Sequence, residues 1–402
     1  MTHRVSAKLW FIDGQDIRLR LPMLLELRAR GFDVAAVGAE EVETFAQHEI
    51  PYFRYGLKWD LSPLADLRGM SQLYRLFRRH QPDLIHAFHT KPAVYAPLAA
   101  RKAGIRGIVR TVTGLGHLFS SRSPLALALR PVYRRLQRLA SEASAVTVFQ
   151  NEEDREFFLK SGLVRPGRET LIRSSGVDLR RLKESAPCPA EIARLRSDLG
   201  LNGHLVVTMI SRLLKHKGVG EFLQAGRLVR ASRPDVVFLL VGPAHENEWK
   251  GVSLSQIHES ADAVRYLGRR EDIPALLALS DVFVLPSYYR EGVPRVLLEA
   301  GAMGLPLITT DMPGCRDVVR DGWNGLLVPP KDSATLSRAV LRLLEARDER
   351  ALMGARSRRL VFDEYGLERV AEAQAEIYER VLREKGHVAR LVPGLGERAS
   401  SR

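Results

Sequence analysis

Two glutamates eight positions apart, Glu291 and Glu299, bracket the run Glu291-Gly-Val-Pro-Arg-Val-Leu-Leu-Glu299-Ala-Gly. A strand-like stretch, Asp281 to Pro286, leads through Ser287-Tyr-Tyr-Arg290 into this run, and an apolar helix follows. Gly292 lets the backbone approach a ligand closely, and Pro294 suits a first helical turn. The N–H groups of residues 292 to 296 would then point outward as an anion site. If the helix includes both acids, they share roughly one azimuth. Glu299 sits amid Val296, Leu297, Leu298 and Ala300, so its carboxylate must be partnered or face a cleft. Spacing alone leaves a second reading open, with Glu291 a capping acid and Glu299 a solvated helix residue.

A second constellation is Ser211-Arg212-Leu-Leu-Lys215-His-Lys217-Gly218, between the strand-like Val206 to Ile210 and a helix over Val219 to Val229. Ligands of open parallel sheets sit beyond the carboxyl ends of strands. Basic side chains on such a loop can reach a phosphate, Lys215 being an additional candidate; a solvated basic turn is the alternative. A third element is Tyr266-Leu-Gly268-Arg269-Arg-Glu271-Asp272, where a strand exits at Gly268 and a helix starts near Asp272, a residue suited to capping it.

These motifs resemble the retaining glycosyltransferases of the family 4 type, which have the GT-B fold. The family signature is Glu, seven residues, Glu in an E-G-x-P-x-x-x-x-E-A setting, and Glu291-Gly292-x-Pro294-x4-Glu299-Ala300 matches it in full. Gly304-x-Pro306-x-Ile308 and Gly322-x-Asn324-Gly325-x-Leu327-x-Pro329 match the flanks. The resemblance runs from about Phe11 to Tyr378, strongly in the second half and more loosely in the first. It implies that Glu291 holds the donor sugar by its hydroxyls and that Glu299 grips the nucleotide ribose, two carboxylate oxygens meeting a vicinal diol. The backbone at Gly292, Val293, Pro294, Arg295 and Val296 would face the sugar and diphosphate. Arg212 and Lys217 would neutralise the leaving diphosphate, although Ser211 stands where the family has Gly. Glu291, Arg212 and Lys217 are thus the catalytic candidates. The Gly268 loop would line the base pocket, with Arg269 and Glu271 as side-chain contributors.

The first half would hold the acceptor. Gly14, in Asp13-Gly14-Gln15-Asp16, stands in the loop that is Gly-rich in relatives and approaches the diphosphate. His86, His89 and Lys91 follow a strand and are candidates for acceptor or sugar contacts. Thr113 occupies the position where many relatives carry a histidine near the donor sugar, and whether Thr113 or His117 takes that role stays open.

The elements that must position these residues alternate. In the first half Val5 to Ile12, Asp33 to Val37, Leu84 to Ala87, Gly107 to Val112, Val146 to Gln150 and Thr170 to Ile172 read as strands, with helical patterns such as Leu19 to Arg30 between them. After residues 180 to 200 the alternation restarts with His204 to Ile210, Val236 to Val241, Ala263 to Leu267, Val282 to Leu285, Leu305 to Thr309 and Gly325 to Val328. The expected fold is α/β, of GT-B type: two Rossmann-like, doubly wound parallel-sheet domains facing each other across a cleft. The expected division is an acceptor-binding domain over 1–180, a linker over 181–200 and a nucleotide-sugar domain over 201–366. A helix over 367–385 would pack back on the first domain, and 386–402 would form a flexible basic tail.

The chain's 402 residues suit two domains. Cys188 and Cys315 are its two cysteines, so a disulfide framework is excluded. The second half lacks a G-x-G-x-x-G opening a helix, which argues against a dinucleotide oxidoreductase. Neither a membrane-length apolar run nor a secretory leader is apparent, which leads to the expectation of a cytoplasmic protein.

The formal net charge is +14, and Leu84 to Ser141 contains no Asp or Glu. Within it, Leu125, Leu129, Val132, Leu136 and Leu139 form one helical stripe, with Arg130, Arg134 and Arg138 beside it. A basic amphipathic helix suits an anionic membrane surface; a solvated basic face is the alternative, and nucleic acid is disfavoured because no recognised module is present.

The reading is therefore a retaining glycosyltransferase using a UDP-linked donor and a polyprenyl-diphosphate-linked saccharide acceptor in cell-surface polysaccharide assembly. It would work without cofactor or metal at the inner face of the cell membrane, and no Asp-x-Asp pair is present. The alternatives are a nucleotide-sugar epimerase on the same fold and a non-enzymatic basic membrane-binding protein.

Overall fold

Strands that are buried on both faces have no polar alternation, because each face meets a helix layer. The computed structural model, which describes residues 6–40, 43–57, 62–115, 119, 123–244 and 251–384, has thirteen strands in two sheets among those residues, most of them buried in this way. The first unit holds β1 (Lys8–Ile12), β2 (Asp33–Gly38), β3 (Tyr52–Arg54), β4 (Leu84–Ala87), β5 (Gly107–Val112), β6 (Val146–Phe149) and β7 (Glu169–Leu171). Their order is β3-β2-β1-β4-β5-β6-β7, and every pairing is parallel. The second unit holds β8 (Leu205–Ile210), β9 (Val236–Val241), β10 (Val264–Tyr266), β11 (Val282–Leu285), β12 (Leu307–Thr310) and β13 (Gly325–Val328), in the order β10-β9-β8-β11-β12-β13, again all parallel. These are the two Rossmann-like sheets expected from the alternation, with one strand, β3, that the sequence pattern does not reveal.

The two-residue period of a strand divides each sheet's side chains between its faces. In β1, Leu9 and Phe11 join a core with Leu24, Leu27 and Val109, whereas Trp10 and Ile12 join another with Leu73, Phe77 and Ile108. In β9, Val236, Phe238 and Leu240 pack on one side and Val237, Leu239 and Val241 on the other.

By internal contacts the first unit comprises Met1–Gly176 and Leu367–Arg402, and the second Val177–Gly366. The stretch 181–200 lost its strand pattern because it is helical. Leu179–Glu184 and Pro189–Asp198 are helices of the second unit, and Ile192, Leu195 and Leu199 pack against Val237 and Leu239. The helix Leu367–Glu384 belongs to the first unit, where Val370, Ala371 and Tyr378 pack with Leu24 and Leu27 of the helix Leu21–Ala29. Residues 386–402 lie outside the described residues. No described helix is long and apolar enough to cross a membrane.

His86 of β4 is fully buried. Its Nε2 lies 2.6 Å from Thr111 Oγ1 and its Nδ1 2.5 Å from Tyr378 Oη, which in turn donates to Gln374 Oε1 at 2.8 Å. A neutral ring satisfies this chain: Nδ1–H donates to Tyr378 and Nε2 accepts from Thr111. Burial, reinforced by the Arg20 charge, pushes the His86 pKa well below the ordinary histidine range. The unfolded chain therefore binds a proton that the folded one refuses. His86 stabilises the fold fully above about pH 6.5, and that contribution declines as pH falls below it, by at most about 1.4 kcal/mol per pH unit. Thermal unfolding midpoints should fall between about pH 7 and pH 5.5, and His86→Gln should flatten that dependence.

Candidate active site

In a doubly wound sheet the two strands from which the chain runs in opposite directions leave a crevice beyond their carboxyl ends. In the second unit those strands are β8 and β11. The loop after β8 carries Ser211 to Gly218, and the loop after β11 carries Pro286 to Pro294. The fold thus brings the basic constellation and the first glutamate to one place. Lys217 Nζ donates directly to Glu291 Oε1, with the two side chains 16% and 14% exposed. Ser287 Oγ donates to the same oxygen at 2.9 Å. Burial alone would raise the Glu291 pKa, but the Lys217 charge, the two hydrogen bonds and the nearby His216 outweigh it, and the net shift is downward. The acid is an anion at neutral pH.

Two glycines let the loops come this close. Gly218 has φ +79°, and a Cβ there would stand 2.1 Å from Pro286 O; Gly314 has φ +82°, and a Cβ there would stand 1.6 Å from Gly292 O. Thr310 Oγ1 donates to Ser287 O, and Tyr288 N to His216 O at 3.0 Å. Cys315 is fully buried beneath the loop, its thiol pushed up to about 12 by burial and by the Glu291 charge. Arg212 lies exposed on the same loop as Lys217.

The helix after the turn is Arg295–Ala302, with Pro294 as its N-cap in extended conformation. Glu291 therefore lies in the loop, and the two glutamates do not share one helix face. The residue before a proline avoids helical backbone, which delays the helix past Val293. Pro294 supplies no N–H, so the outward-facing donors of this turn are fewer than the sequence suggests. Glu299 is half-buried and accepts from Arg295 Nε at 2.8 Å. Gly268, with φ +68°, ends the β10 segment, and its carbonyl accepts from Gly242 N at 2.8 Å. Arg269 and Glu271 are exposed and 3.8 Å apart. Asp272 takes the N-cap position of Ile273–Ala278 without a side-chain capping bond, because Arg270 holds its carboxylate at 2.8 and 2.6 Å.

The corresponding crevice of the first unit lies between β1 and β4. Asp13, just beyond β1, is fully buried and accepts from Gly14 N at 2.8 Å, Arg20 Nε at 3.0 Å and His89 Nδ1. Burial opposes its ionisation, yet His89 and Arg20 hold the carboxyl well below the usual carboxylate range. His89 has φ +64°. Lys91 pairs with Asp66 at 2.8 Å. Thr113 is half-buried just past β5. His117 lies outside the described residues. His86 is a core residue and cannot meet a ligand, a correction to its reading as a contact candidate. Asp13 and Ser287 carry no motif beyond their place at a strand end, and a sequence reading passes over both.

The helix Pro124–Ala143 is amphipathic, but its stripe is not wholly inward. Leu129 and Leu136 are half-buried, whereas Val132 is 60% and Leu139 39% exposed, because the inward side is taken by Ala126, Gln137 and Ala140. The side chain of Leu125 lies outside the described residues. Arg130 donates to Phe119 O at 3.1 Å and Arg138 to Gly162 O at 2.9 Å, while Arg134 and Arg135 are exposed. Among the described residues no group of three or more His, Cys, Asp or Glu is arranged to hold a metal ion.

Residues 192–360 match the family described as glycosyl transferases group 1, and residues 21–175 match the glycosyl transferase 4-like domain. The chain is 29% identical over 379 residues to the N,N'-diacetylbacillosaminyl-diphospho-undecaprenol alpha-1,3-N-acetylgalactosaminyltransferase of Campylobacter jejuni, covering 90% of this chain and 95% of that one. It is 29% identical over 289 residues to an Escherichia coli UDP-Gal:alpha-D-GlcNAc-diphosphoundecaprenol alpha-1,3-galactosyltransferase, covering 71% and 72%. Among solved structures, Anabaena Alr3699/HepE in complex with UDP shares the fold with a TM-score of 0.75 at 21% identity, over 93% of this chain and 100% of that one.

Gly314→Ala should lower the unfolding free energy by more than about 1 kcal/mol, because both strain and a backbone collision oppose it. Gly304→Ala is the control, since φ is also +82° but the nearest atom is 4.0 Å away. Denaturant titration should show the Gly314 variant losing clearly more.

Proposed function

We infer the particular reaction from a plain premise: the chain belongs to the group 1 glycosyl transferases and is a glycosyltransferase of the GT-B fold. It transfers a sugar, with retention, from a UDP-linked donor to a saccharide carried on a polyprenyl diphosphate, in cell-surface polysaccharide assembly. The observation that carries this reading is the Lys217–Glu291 pair at the crevice of the second sheet, a carboxylate for sugar hydroxyls beside a cation for phosphate. The Campylobacter and Escherichia relatives, both named for undecaprenol diphosphate acceptors, support the acceptor class. The Escherichia relative and the UDP-bound Anabaena structure support the base.

Glu291 accepts from the donor-sugar hydroxyls, and Glu299 meets the ribose diol once the nucleotide competes for its contact with Arg295. The backbone from Gly292 to Val296 faces the sugar and diphosphate, and the Gly268 loop, with Arg269 and Glu271, borders the base. The bond from the anomeric carbon to the diphosphate oxygen breaks while the acceptor oxygen attacks from the same face. The acceptor's proton passes to the departing phosphate, so no enzymic base is required. Arg212 and Lys217 gain strength as charge collects on that phosphate, which is transition-state stabilisation; charged hydrogen bonds of this kind contribute about 1.5–3 kcal/mol each. These cations supply the neutralisation, and the reaction is read without a resident metal. On the first unit, Gly14, His89 and Thr113 are the acceptor-side residues.

The exposed face of Pro124–Ala143 rests on the anionic inner surface of the cell membrane. Arg134, Arg135 and Arg138 supply about 1 kcal/mol each near such a surface, and Leu127, Val132 and Leu139 add apolar contact.

Four measurements test this. In a thermal-shift panel UDP should raise the midpoint above other nucleoside diphosphates by mass action, and Glu299→Ala should weaken UDP binding at least about tenfold, a loss of about 1.4 kcal/mol. Arg212→Ala, which leaves the Lys217–Glu291 pair intact, should cut turnover at least about tenfold with little change in the midpoint; normal turnover would remove Arg212 from the diphosphate assignment. The triple variant Arg134→Glu, Arg135→Glu, Arg138→Glu should no longer co-sediment with anionic vesicles, and retained binding refutes the membrane role.

A further inference from the structure

We propose that Ser287 is a positioning residue for the reaction: its hydroxyl fixes the Glu291 carboxylate that faces the donor sugar. The proposal rests on the reading of Glu291 given above.

Ser287 is fully buried at the carboxyl end of β11. A serine hydroxyl has one proton to donate. Two acceptors compete for it, Glu291 Oε1 at 2.9 Å and His216 O at 3.3 Å. The nearer and charged acceptor wins, since hydrogen bonds to ionised groups are about twice as strong as neutral ones. Glu291 stands in a loop, so no helix backbone restricts its side-chain rotamer. Its Oε1 is instead held from two sides, by Lys217 of the β8 loop and by Ser287 of the β11 strand end. A reacting constellation needs placement to about 0.5 Å, which such supporting contacts provide.

The hydroxyl's own contact with the local backbone is a long one, from Tyr289 N at 3.4 Å, and closer bonds anchor the strand end. Thr310 Oγ1 holds Ser287 O, and Tyr288 N bonds His216 O at 3.0 Å. Removing Oγ therefore leaves the strand end in place while freeing the carboxylate on one side.

The test compares the full-length wild type, Ser287→Ala and Glu291→Gln by calorimetric titration with two probes: UDP, and the UDP-hexose that shifts the thermal midpoint most. Ser287→Ala should keep its midpoint and its UDP affinity within twofold, and bind the UDP-hexose at least fivefold more weakly. Glu291→Gln should lose UDP-hexose affinity in the same selective way. If Glu291→Gln loses it and Ser287→Ala does not, the role of Ser287 is overturned while Glu291 stands. If Ser287→Ala loses both probes equally, the hydroxyl is merely structural and the proposal is overturned. If Glu291→Gln changes nothing, the reading of Glu291 itself fails, and the role of Ser287 falls with it.

Discussion

The contact between Lys217 and Glu291 joins loops whose residues are 74 positions apart in the chain. A mostly buried carboxylate is costly unless it is paired and hydrogen-bonded, so these loops cannot separate without exposing or orphaning a charge. The surroundings follow from that requirement. The backbones must touch, and glycine at 218 and 314 removes the side chains that would keep them apart. The strand end must be steady, and Thr310 clamps the carbonyl of Ser287. The negative charge also suppresses ionisation of Cys315 below it, leaving that thiol a packing group and not a nucleophile.

The first unit solves the same problem with other residues. Asp13 is buried deeper than Glu291 and takes bonds from Arg20, His89 and its neighbour's backbone. Arg20 continues to Ser175 at 2.6 Å, and Gln150 reaches that serine at 3.1 Å, so one carboxylate organises the ends of β1, β4, β6 and β7. In each unit a buried acid is held at the place where strand order reverses. The fold offers that crevice for topological reasons, and charged loops occupy it.

Charge periodicity on a helix does not say which charges are available. Of the three arginines spaced by four along Pro124–Ala143, Arg130 is half-buried and donates to Phe119 O, whereas Arg138 stays exposed while donating to Gly162 O. Arg135, outside that row, stands exposed with Arg134. The face presented to solvent is thus rotated from the one the spacing implies, and it carries apolar residues between its cations.

The sequence by itself determined the two parallel sheets and the family motif. Fully buried parallel strands are continuous apolar runs, and the E-x7-E turn is a local pattern. It did not disclose β3, a three-residue edge strand of Tyr52–Arg54 that is only partly buried and so shows no apolar run. It could not tell His86 from His89, three positions apart, because one points into the core from a strand and the other stands two residues past that strand with left-handed backbone. It could not pair Lys217 with Glu291 or Asp13 with Arg20 and His89. Those contacts depend on the order in which strands lie side by side. That order is decided when helices pack on both sheet faces, and no local spacing records it.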